Sequence, residues 1–333
     1  MVAIVGAPAA LQPAPRILLV KSSSLGDVVH NLPVVSDLRR HFPEAQIDWL
    51  VEENFAAIPV LHPGVSSVIP LAVRRWRKQL LKRTTWCQLR KLRHQLRKDD
   101  YGVILDTQGL AKSAVFARWA RGDHHGYDAA SIREPLAALT YTHKHAVSKT
   151  LHAVERNRAL AAATFGYTLD TACDYGIKAT PLVAPWLPAD RPYVVLLTAT
   201  SRDDKLWPDA HWIALGQNLA AKGLRCILPG GSPTERERAA HIAAALGVDA
   251  AVAAPPLDIP TLAQLISGAR CVIGVDTGLT HLGAALGKPT LAIFCATDPG
   301  LTGVHAAQPV VNLGGIGQVP TPVQVMQQCM GWL

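Results

Sequence analysis

Residues 16–27 read R-I-L-L-V-K-S-S-S-L-G-D, and apolar residues at helical spacing follow from 28 to 42. A continuous apolar run, a polar turn and an amphipathic helix are typical of a parallel sheet that is buried on both faces. The chain repeats this order, and we expect further strands at 46–51, 68–73 and 101–106. The pattern predicts an α/β fold built on a doubly wound parallel sheet.

A proline-rich stretch divides the chain into two similar halves. Four prolines fall between positions 181 and 192, and the strand and helix pattern then restarts, with strands expected at 193–197, 226–228, 271–275 and 290–294. We predict an amino-terminal domain at 16–182, a stiff linker at 183–192 and a carboxyl-terminal domain at 193–333. Residues 1–15 are expected to form a flexible extension. The last helix is in a position to pack back on the amino-terminal domain.

The positive charge of the chain is concentrated in one segment. Of the 33 Lys and Arg residues, eleven lie between positions 74 and 98, where there is no Asp or Glu, so the remainder carries 22 basic against 25 acidic residues. A non-catalytic nucleic-acid-binding protein that uses this patch is one interpretation, although no DNA- or RNA-binding motif accompanies it. A solvated amphipathic helix is another.

Cysteines, histidines and apolar runs indicate which kinds of site to expect. The six cysteines are widely scattered, without the close pairs of a zinc site or a redox dithiol, which fits a reducing compartment. Neither H-E-x-x-H nor D-x-D occurs, so we predict no metal and no cofactor. No uncharged apolar run reaches the roughly 20 residues that cross a bilayer, and no secretory leader is evident.

The clearest candidate for ligand binding is V-D-T-G-L-T-H at 275–281, which follows a predicted buried strand and opens a helix. A glycine lets backbone N–H groups approach a ligand closely, and a helix N-terminus carries partial positive charge, so a diphosphate can bind there. Asp276, Thr277, Gly278 and His281 are the candidate residues. The alternative is an ordinary helix cap with a convenient glycine.

Two further segments of the second half carry candidates for the same ligand. Thr200, Ser201 and Lys205 follow the first strand of that half and offer hydroxyls and an ammonium to phosphate oxygens. Glu235 follows another strand and is able to accept hydrogen bonds from ribose hydroxyls. The run S-P-T-E at 232–235 also fits a capping box, and the two interpretations are compatible.

In the first half, Asp27 ends the polar turn after the first strand. A carboxylate at that point is able to deprotonate an acceptor hydroxyl as it attacks an anomeric carbon. The alternative is a charge that stabilises the helix N-terminus. Asp27 has no partner carboxylate in its motif, and a single base suits an inverting displacement.

The basic segment begins with R-R-W-R-K at 74–78. Arg74, Arg75, Arg77 and Lys78 are candidates to bind an anionic acceptor, because guanidinium groups pair with carboxylates and phosphates bidentately. The tryptophan between them is able to lie against a sugar ring or an apolar surface. Gln108 and Lys112, beyond the strand at 101–106, are further polar candidates.

Motifs in a fixed order connect these candidates. They are V-K-S-S-S-L-G-D-V-V-H at 20–30, R-R-W-R-K at 74–78, D-T-Q-G-L-A-K-S-A at 106–114, R-E-P-L-A at 133–137, H-A-V-E-R at 152–156, R-D-D-K-L-W-P at 202–208, V-D-T-G-L-T-H at 275–281 and T-D-P-G-L at 297–301. Together they resemble the lipopolysaccharide heptosyltransferases of glycosyltransferase family 9, and above all the type I enzymes. The resemblance implies a GT-B fold, with two Rossmann-like domains whose parallel sheets face a central cleft. It also implies inverting, metal-independent transfer of heptose from ADP-heptose to the first Kdo of Kdo2-lipid A.

The resemblance assigns roles to single residues. Asp27 is implied as the general base, and Lys205 as a catalytic residue that also binds the donor phosphates. The implied donor set is Thr200, Ser201, Lys205, Glu235, Asp276, Thr277, Gly278 and His281, with Leu257 as a guess for adenine. The implied acceptor set is Ser24, Gly26, Arg74, Arg75, Arg77, Lys78, Gln108, Lys112 and Arg133. Ser201 stands where the family pattern leads us to expect threonine, and it still supplies a hydroxyl.

Partners and location follow from the same resemblance. ADP-heptose and Kdo2-lipid A are the expected ligands, with no nucleic acid, and the chain is expected to be a cytoplasmic monomer at the inner-membrane surface. The alternative within the family is a type II enzyme, which adds heptose to an acceptor that already carries one. R-R-W-R-K and H-A-V-E-R favour type I.

Overall fold

The computed structural model describes residues 15–187 and 191–333. The predicted extension at 1–15 lies outside these ranges except for Pro15, and the predicted linker at 183–192 is described except for 188–190.

The amino-terminal half contains a six-stranded parallel sheet. Its strands are β1 (Arg16–Val20), β2 (Gln46–Glu52), β3 (Ser67–Leu71), β4 (Asp100–Asp106), β5 (Arg121–Tyr127) and β6 (His143–His145). The strand order is β3-β2-β1-β4-β5-β6, and every neighbouring pair is parallel. This is the order of a Rossmann-type sheet, in which the chain reverses direction across the sheet between β1 and β4.

The carboxyl-terminal half repeats the arrangement. Its strands are β7 (Tyr193–Leu197), β8 (Arg225–Leu228), β9 (Ala251–Ala253), β10 (Val272–Val275), β11 (Thr290–Phe294) and β12 (Val310–Gly314). The order β12-β11-β10-β7-β8-β9 is the same order as in the first sheet, read from the other edge. The predicted α/β fold with two Rossmann-like parallel sheets is therefore confirmed.

Helices connect the strands of both sheets. The α-helices are α1 (Leu25–Val29), α2 (Leu32–His41), α3 (Ala57–Val60), α4 (Val73–Lys78), α5 (Arg83–Lys98), α6 (Ala111–Ala117), α7 (Ala153–Phe165), α8 (Asp209–Ala220), α9 (Pro233–Leu246), α10 (Ile259–Gly268), α11 (Gly278–Ala285) and α12 (Pro322–Cys329). Short 3-10 turns lie at Glu53–Phe55, Pro135–Thr140, Asp203–Lys205 and Met330–Trp332.

Three details differ from the prediction. The helix expected at 28–42 is two helices, α1 and α2, because Pro33 near the start of α2 has no N–H to continue a helical ladder. Val73 begins α4 instead of ending β3. The last helix does not pack back on the first domain: Val325 and Cys329 of α12 are buried in a cluster with Trp212 of the second half.

The apolar core joins the two halves. One cluster of buried residues contains Leu19 and Val28 from the first half together with Leu197 and Leu282 from the second. Two separate clusters cover the opposite faces of the two sheets. The joined core brings the carboxyl ends of β1 and β10 to the same region, which is where α/β folds bind ligands.

Candidate active site

A cavity of about 630 Å³ lies between the two halves. Its volume is in the range of small-molecule sites. Most of the predicted site residues line it: Ser24, Gly26, Asp27, Arg74, Thr200, Ser201, Lys205, Glu235, Asp276, Thr277, Gly278 and His281. The structure therefore brings the predicted donor loops and the predicted base to one place.

The N-termini of two helices meet at the centre of this cavity. The first residues of α11 lie against the first residues of α1, and a Cβ placed on Gly278 would be 2.7 Å from Leu25 and 2.8 Å from the Gly26 nitrogen. A Cβ on Gly26 would lie 3.3 Å from the His281 ring. Gly278 needs the absence of a side chain so that the two turns can approach, and a side chain on Gly26 would press on the His281 ring. The cavity consequently has two sets of helix-terminal N–H groups at its edge.

Asp27 makes the local contacts of a capping residue. Its Oδ2 accepts hydrogen bonds from the Ser24 backbone nitrogen at 2.7 Å and from Ser24 Oγ at 2.9 Å. Its Oδ1 has no hydrogen-bond partner within the described part of the chain, and the residue lines the cavity. The capping contact fixes the side chain, so one carboxylate oxygen is held in place and the other remains available to a ligand.

Lys205 and Asp276 form an ion pair on the opposite wall. Lys205 Nζ lies 2.7 Å from Asp276 Oδ2, which also accepts a hydrogen bond from Thr297 Oγ1 at 2.8 Å. Thr200 Oγ1 donates to the Asp276 carbonyl at 2.8 Å. These contacts join three loops of the second half behind the N-terminus of α11. They hold the ammonium beside the predicted diphosphate position.

Glu235 has the capping-box geometry that its motif suggested. Its Oε2 accepts from the backbone nitrogens of Gly231 at 2.8 Å and Ser232 at 3.2 Å, while Ser232 Oγ accepts from the Glu235 nitrogen. The side chain also lines the cavity, next to Pro229 and Gly230. The capping interpretation is confirmed, and the ribose contact stays a prediction.

A buried histidine pair lies where the two helices meet. His30 Nε2 lies 3.0 Å from His281 Nδ1, and the ring of His152 lies 5.5 Å from that of His30. Burial lowers the pKa of His281 to about 4 and holds the pKa of His30 well below its usual range, with the neighbouring histidines as a further cause. Both rings are therefore neutral at pH 7. His30 was not among our predicted site residues, although it ends the first quoted motif.

Several predicted acceptor residues have other roles. Gln108 is buried and does not line the cavity, because its Oε1 accepts from the backbone nitrogens of Ser22 and Ser23 at 2.8 and 3.0 Å. It supports the polar turn from behind. Leu257 is partly buried against the apolar core and is also absent from the cavity wall, so the adenine guess is not supported. The wall beside Glu235 is formed by other apolar or backbone groups: Leu197, Ala199, Pro229 and Gly230.

The basic helix α4 contributes one residue to the cavity. Arg74 lines it, with its guanidinium 5.2 Å from the centre of the Phe55 ring. Arg75 is instead paired bidentately with Glu53 at 3.0 and 2.9 Å, which raises the Arg75 pKa. Trp76 is buried and packs near Phe116, so it lies against an apolar surface of the protein itself.

The other predicted acceptor cations are on the surface. Arg77, Lys78, Lys112 and Arg133 are exposed and do not line the cavity. Lys112 Nζ donates to Ser23 Oγ at 3.2 Å, which places it beside the polar turn that carries Asp27. The structure thus leaves these side chains free to move toward a large ligand, without fixing where they bind it.

One group of potential metal ligands occurs among the residues described. It consists of Glu155, Cys173 and His305, and none of the three lines the cavity. Glu155 is already engaged, with His305 Nε2 at 3.2 Å and Arg158 at 3.2 Å. Glu155 of α7 contacts His305 of the segment after β11, and Cys173 lies beside this pair. The group is therefore explained by packing between these segments.

Comparisons with known proteins agree with this architecture. Residues 89–330 match the model of "Glycosyltransferase family 9 (heptosyltransferase)". Lipopolysaccharide heptosyltransferase 1 of Escherichia coli K12 is 43% identical over 299 residues, which cover 89% of this chain and 92% of the relative. Lipopolysaccharide heptosyltransferase 2 of the same strain is 23% identical over 308 residues, 86% of this chain and 84% of that relative.

Two solved structures have the same fold over nearly their whole length. The E. coli heptosyltransferase WaaC with ADP has a TM-score of 0.87 and 40% identity, covering 96% of this chain and 100% of that one. The same enzyme with ADP-2-deoxy-2-fluoro heptose has a TM-score of 0.85 and 39% identity, covering 95% and 99%.

Proposed function

The chain belongs to glycosyltransferase family 9, the heptosyltransferases, and from this premise we propose that it transfers L-glycero-D-manno-heptose from ADP-heptose to the first Kdo of Kdo2-lipid A. The reaction adds the first heptose of the lipopolysaccharide inner core. The observation that carries the proposal is the meeting of α1 and α11, which places Asp27 on one wall of the cavity and the Lys205–Asp276 pair on the other.

The second half is the proposed donor side. The diphosphate of ADP-heptose would accept hydrogen bonds from the N-terminal N–H groups of α11 and from Lys205, whose charge and dipole both favour an anion. The hydroxyls of Thr200 and Ser201 lie on the same wall. Glu235 Oε1 would accept from the ribose. A donor site for ADP-heptose is supported by the solved structures of the similar enzyme WaaC with ADP and with ADP-2-deoxy-2-fluoro heptose.

The proposed chemical step is a single displacement. Asp27 takes the proton of the acceptor hydroxyl while that oxygen bonds to the anomeric carbon, and the bond from that carbon to the ADP oxygen breaks. The developing charge on ADP is stabilised by the start of α11 and by Lys205. Asp276 is paired with Lys205, and Glu235 lies on the donor side, where its second oxygen is assigned to the ribose, so Asp27 is the carboxylate proposed to act on the acceptor. One base and no protein nucleophile give inversion.

The first half is the proposed acceptor side. Arg74 reaches the cavity from α4, and Lys112 lies beside the turn that carries Asp27. Both are suited to the carboxylates and phosphates of a Kdo-containing lipid. Type I specificity is supported by the higher identity to heptosyltransferase 1 than to heptosyltransferase 2.

We place the protein at the inner-membrane surface because the proposed acceptor is a lipid. Within the described residues, no helix is both long enough and apolar enough to cross a bilayer. The proposed association is therefore peripheral. Membership of a glycosyltransferase family accounts for the site without a nucleic-acid ligand.

The test is one set of incubations of the purified protein with ADP-heptose in EDTA. We expect mass spectrometry to show heptose added to Kdo2-lipid A, faster than to the monoheptosylated acceptor, and at a rate that the chelator does not change. Faster use of the monoheptosylated acceptor would make the protein a type II enzyme. Loss of turnover that magnesium restores would contradict metal independence.

A further inference from the structure

The loop between α4 and α5 holds two leucines out in solvent. Leu81 is 100% exposed and Leu80 is 54% exposed, and Trp86 on the first turns of α5 is 55% exposed. Single exposed apolar residues are common on protein surfaces. Three large ones within seven positions of a segment that is otherwise strongly basic form an amphipathic surface, which we call the Leu80–Trp86 tip.

Hydrogen bonds fix the loop in this conformation. Thr85 Oγ1 donates to the Gln79 carbonyl at 2.8 Å, and the Lys82 nitrogen donates to the same carbonyl at 3.0 Å. Trp86 Nε1 donates to the Leu80 carbonyl at 2.8 Å. The loop is thus folded over the start of α5. Its leucines are displayed by a defined turn, not by a disordered connection.

The tip is surrounded by cations that have no acidic partner. Arg77, Lys78, Lys82 and Arg83 are exposed, and none lies within 4.0 Å of a carboxylate of any residue that the structure describes. The rest of α5 buries Leu92 and Leu96 against the first sheet and leaves its other faces open. Those faces carry Arg90, Lys91, Arg93, Arg97 and Lys98. Such a concentration of like charge is relieved by an anionic surface.

We propose that the Leu80–Trp86 tip docks the protein on an anionic bilayer. The two leucines and the indole would enter the interfacial layer, where aromatic and aliphatic side chains bind, and the surrounding Lys and Arg would lie at lipid phosphates. The charge complementarity selects a membrane over a second copy of this basic chain. Arg74 lies on α4, the same short helix that leads into the loop, so docking would leave the cavity near the membrane surface.

This inference rests on the proposed function in one respect: a lipid acceptor gives the protein a reason to bind a membrane. Binding of the tip to a bilayer can be tested without measuring turnover. The probe is co-sedimentation with vesicles of equal parts phosphatidylcholine and phosphatidylglycerol, compared with phosphatidylcholine alone. We expect binding to the anionic vesicles, weakened by added salt. Leu81→Ser should lower the partition coefficient about tenfold, and Leu80→Ser with Leu81→Ser by more than that.

The matched control replaces exposed apolar residues elsewhere. Val248→Ser with Ile316→Ser changes side chains that are 83% and 72% exposed in the other half, and it should leave binding unchanged. Fluorescence adds a direct signal, because the difference spectrum between the wild type and Trp86→Phe should shift to the blue on anionic vesicles. Lys82→Ser with Arg83→Ser should weaken binding to those vesicles.

Three results would overturn the proposal. They are equal binding of the leucine variant and the wild type, equal binding to neutral and anionic vesicles, and a wild-type dimer that the leucine substitutions dissociate. A delipidated Kdo acceptor separates the two proposals. The leucine variant should turn it over at the wild-type rate and lose rate only on acceptor embedded in vesicles. If the wild type turns over neither the delipidated acceptor nor Kdo2-lipid A, the proposed function fails while the vesicle result still stands.

Discussion

The two walls of the cavity are built in different ways. On the donor wall, Lys205 and Thr297 come from separate loops and both donate to Asp276 Oδ2, at 2.7 and 2.8 Å. On the acceptor wall, Asp27 bonds to Ser24 of its own turn, and the predicted acceptor cations Arg77, Lys78, Lys112 and Arg133 lie exposed on the surface. The difference fits the two ligands: a small nucleotide sugar needs a preformed site, whereas a large anionic lipid can be gathered by long, mobile side chains.

The largest expected effect is on the acceptor wall. Asp27→Ala should lower kcat by about 10²–10⁴-fold, because the attacking hydroxyl would lose its base. Ser24→Ala is the matched control: it removes one hydrogen bond from the same cap and leaves the carboxylate in place, so it should cost far less. Steady-state kinetics with saturating donor make the comparison. A loss of less than about tenfold in Asp27→Ala would remove the assignment.

The contact between the walls through His30 and His281 should make the free energy of unfolding depend on pH. The pKa of His281 is lowered to about 4 from the 6.5 of an exposed histidine, chiefly by burial. At this position the unfolded chain therefore binds more protons than the folded chain between these values, and His281 should lower the free energy of unfolding by up to about 3 kcal/mol as pH drops from about 6.5 to 4.

Urea unfolding at a series of pH values measures this dependence. His281→Asn should make it less steep, because other buried or half-buried histidines such as His62 and His125 still contribute, whereas His241→Gln, at an exposed histidine of α9, should leave it unchanged. A wild-type stability that does not change between pH 7 and 4 would show that the histidine pair is not buried in solution.

A smaller effect is expected on the donor wall. Lys205→Ala should lower kcat/KM for ADP-heptose by about 10- to 100-fold, the value of one charged hydrogen bond of about 1.5–3 kcal/mol. Lys222→Ala, at an exposed lysine after α8, is the control and should be silent. An effect of Lys205→Ala confined to the acceptor KM would contradict the division into donor and acceptor walls.

The smallest effects distinguish two neighbouring arginines. Arg75→Gln breaks the pair with Glu53 and should lower stability only slightly, as is usual for exposed ion pairs, with little change in acceptor KM. Arg77→Gln should leave stability unchanged and raise the acceptor KM a few fold. Thermal melts measure the stability of the two variants, and acceptor titrations measure their KM. The reverse pattern would refute the assigned roles.

The fold could be predicted where strands are continuous apolar runs. The predicted strands correspond within a few residues to β1, β2, β3, β4, β7, β8, β10 and β11, because buried parallel strands have few polar positions. β5 has the sequence R-G-D-H-H-G-Y and begins with three exposed residues, so it offered no such signal. β6 and β9 are only three residues long, too short to show a period.

The site could be predicted where topology determines position. The carboxyl end of a parallel strand followed by a helix N-terminus is a defined place, so Asp27 and the loop after β10 were located from their motifs. The function of Gln108 depends on which backbone groups surround it, and the pairing of His30 with His281 joins positions 251 residues apart. Neither relation leaves a local pattern. Arg75 and Arg77 likewise look equivalent in the sequence, and only the position of Glu53 separates them.

The most direct measurement is a structure of the protein with a non-transferable ADP-heptose analogue and a Kdo acceptor bound together. The account predicts the diphosphate at the N-terminus of α11 and beside Lys205, and the acceptor hydroxyl about 3 Å from the Asp27 carboxylate, in line with the anomeric carbon. A diphosphate bound away from α11, or a heptose whose anomeric carbon faces a wall other than that of Asp27, would contradict it.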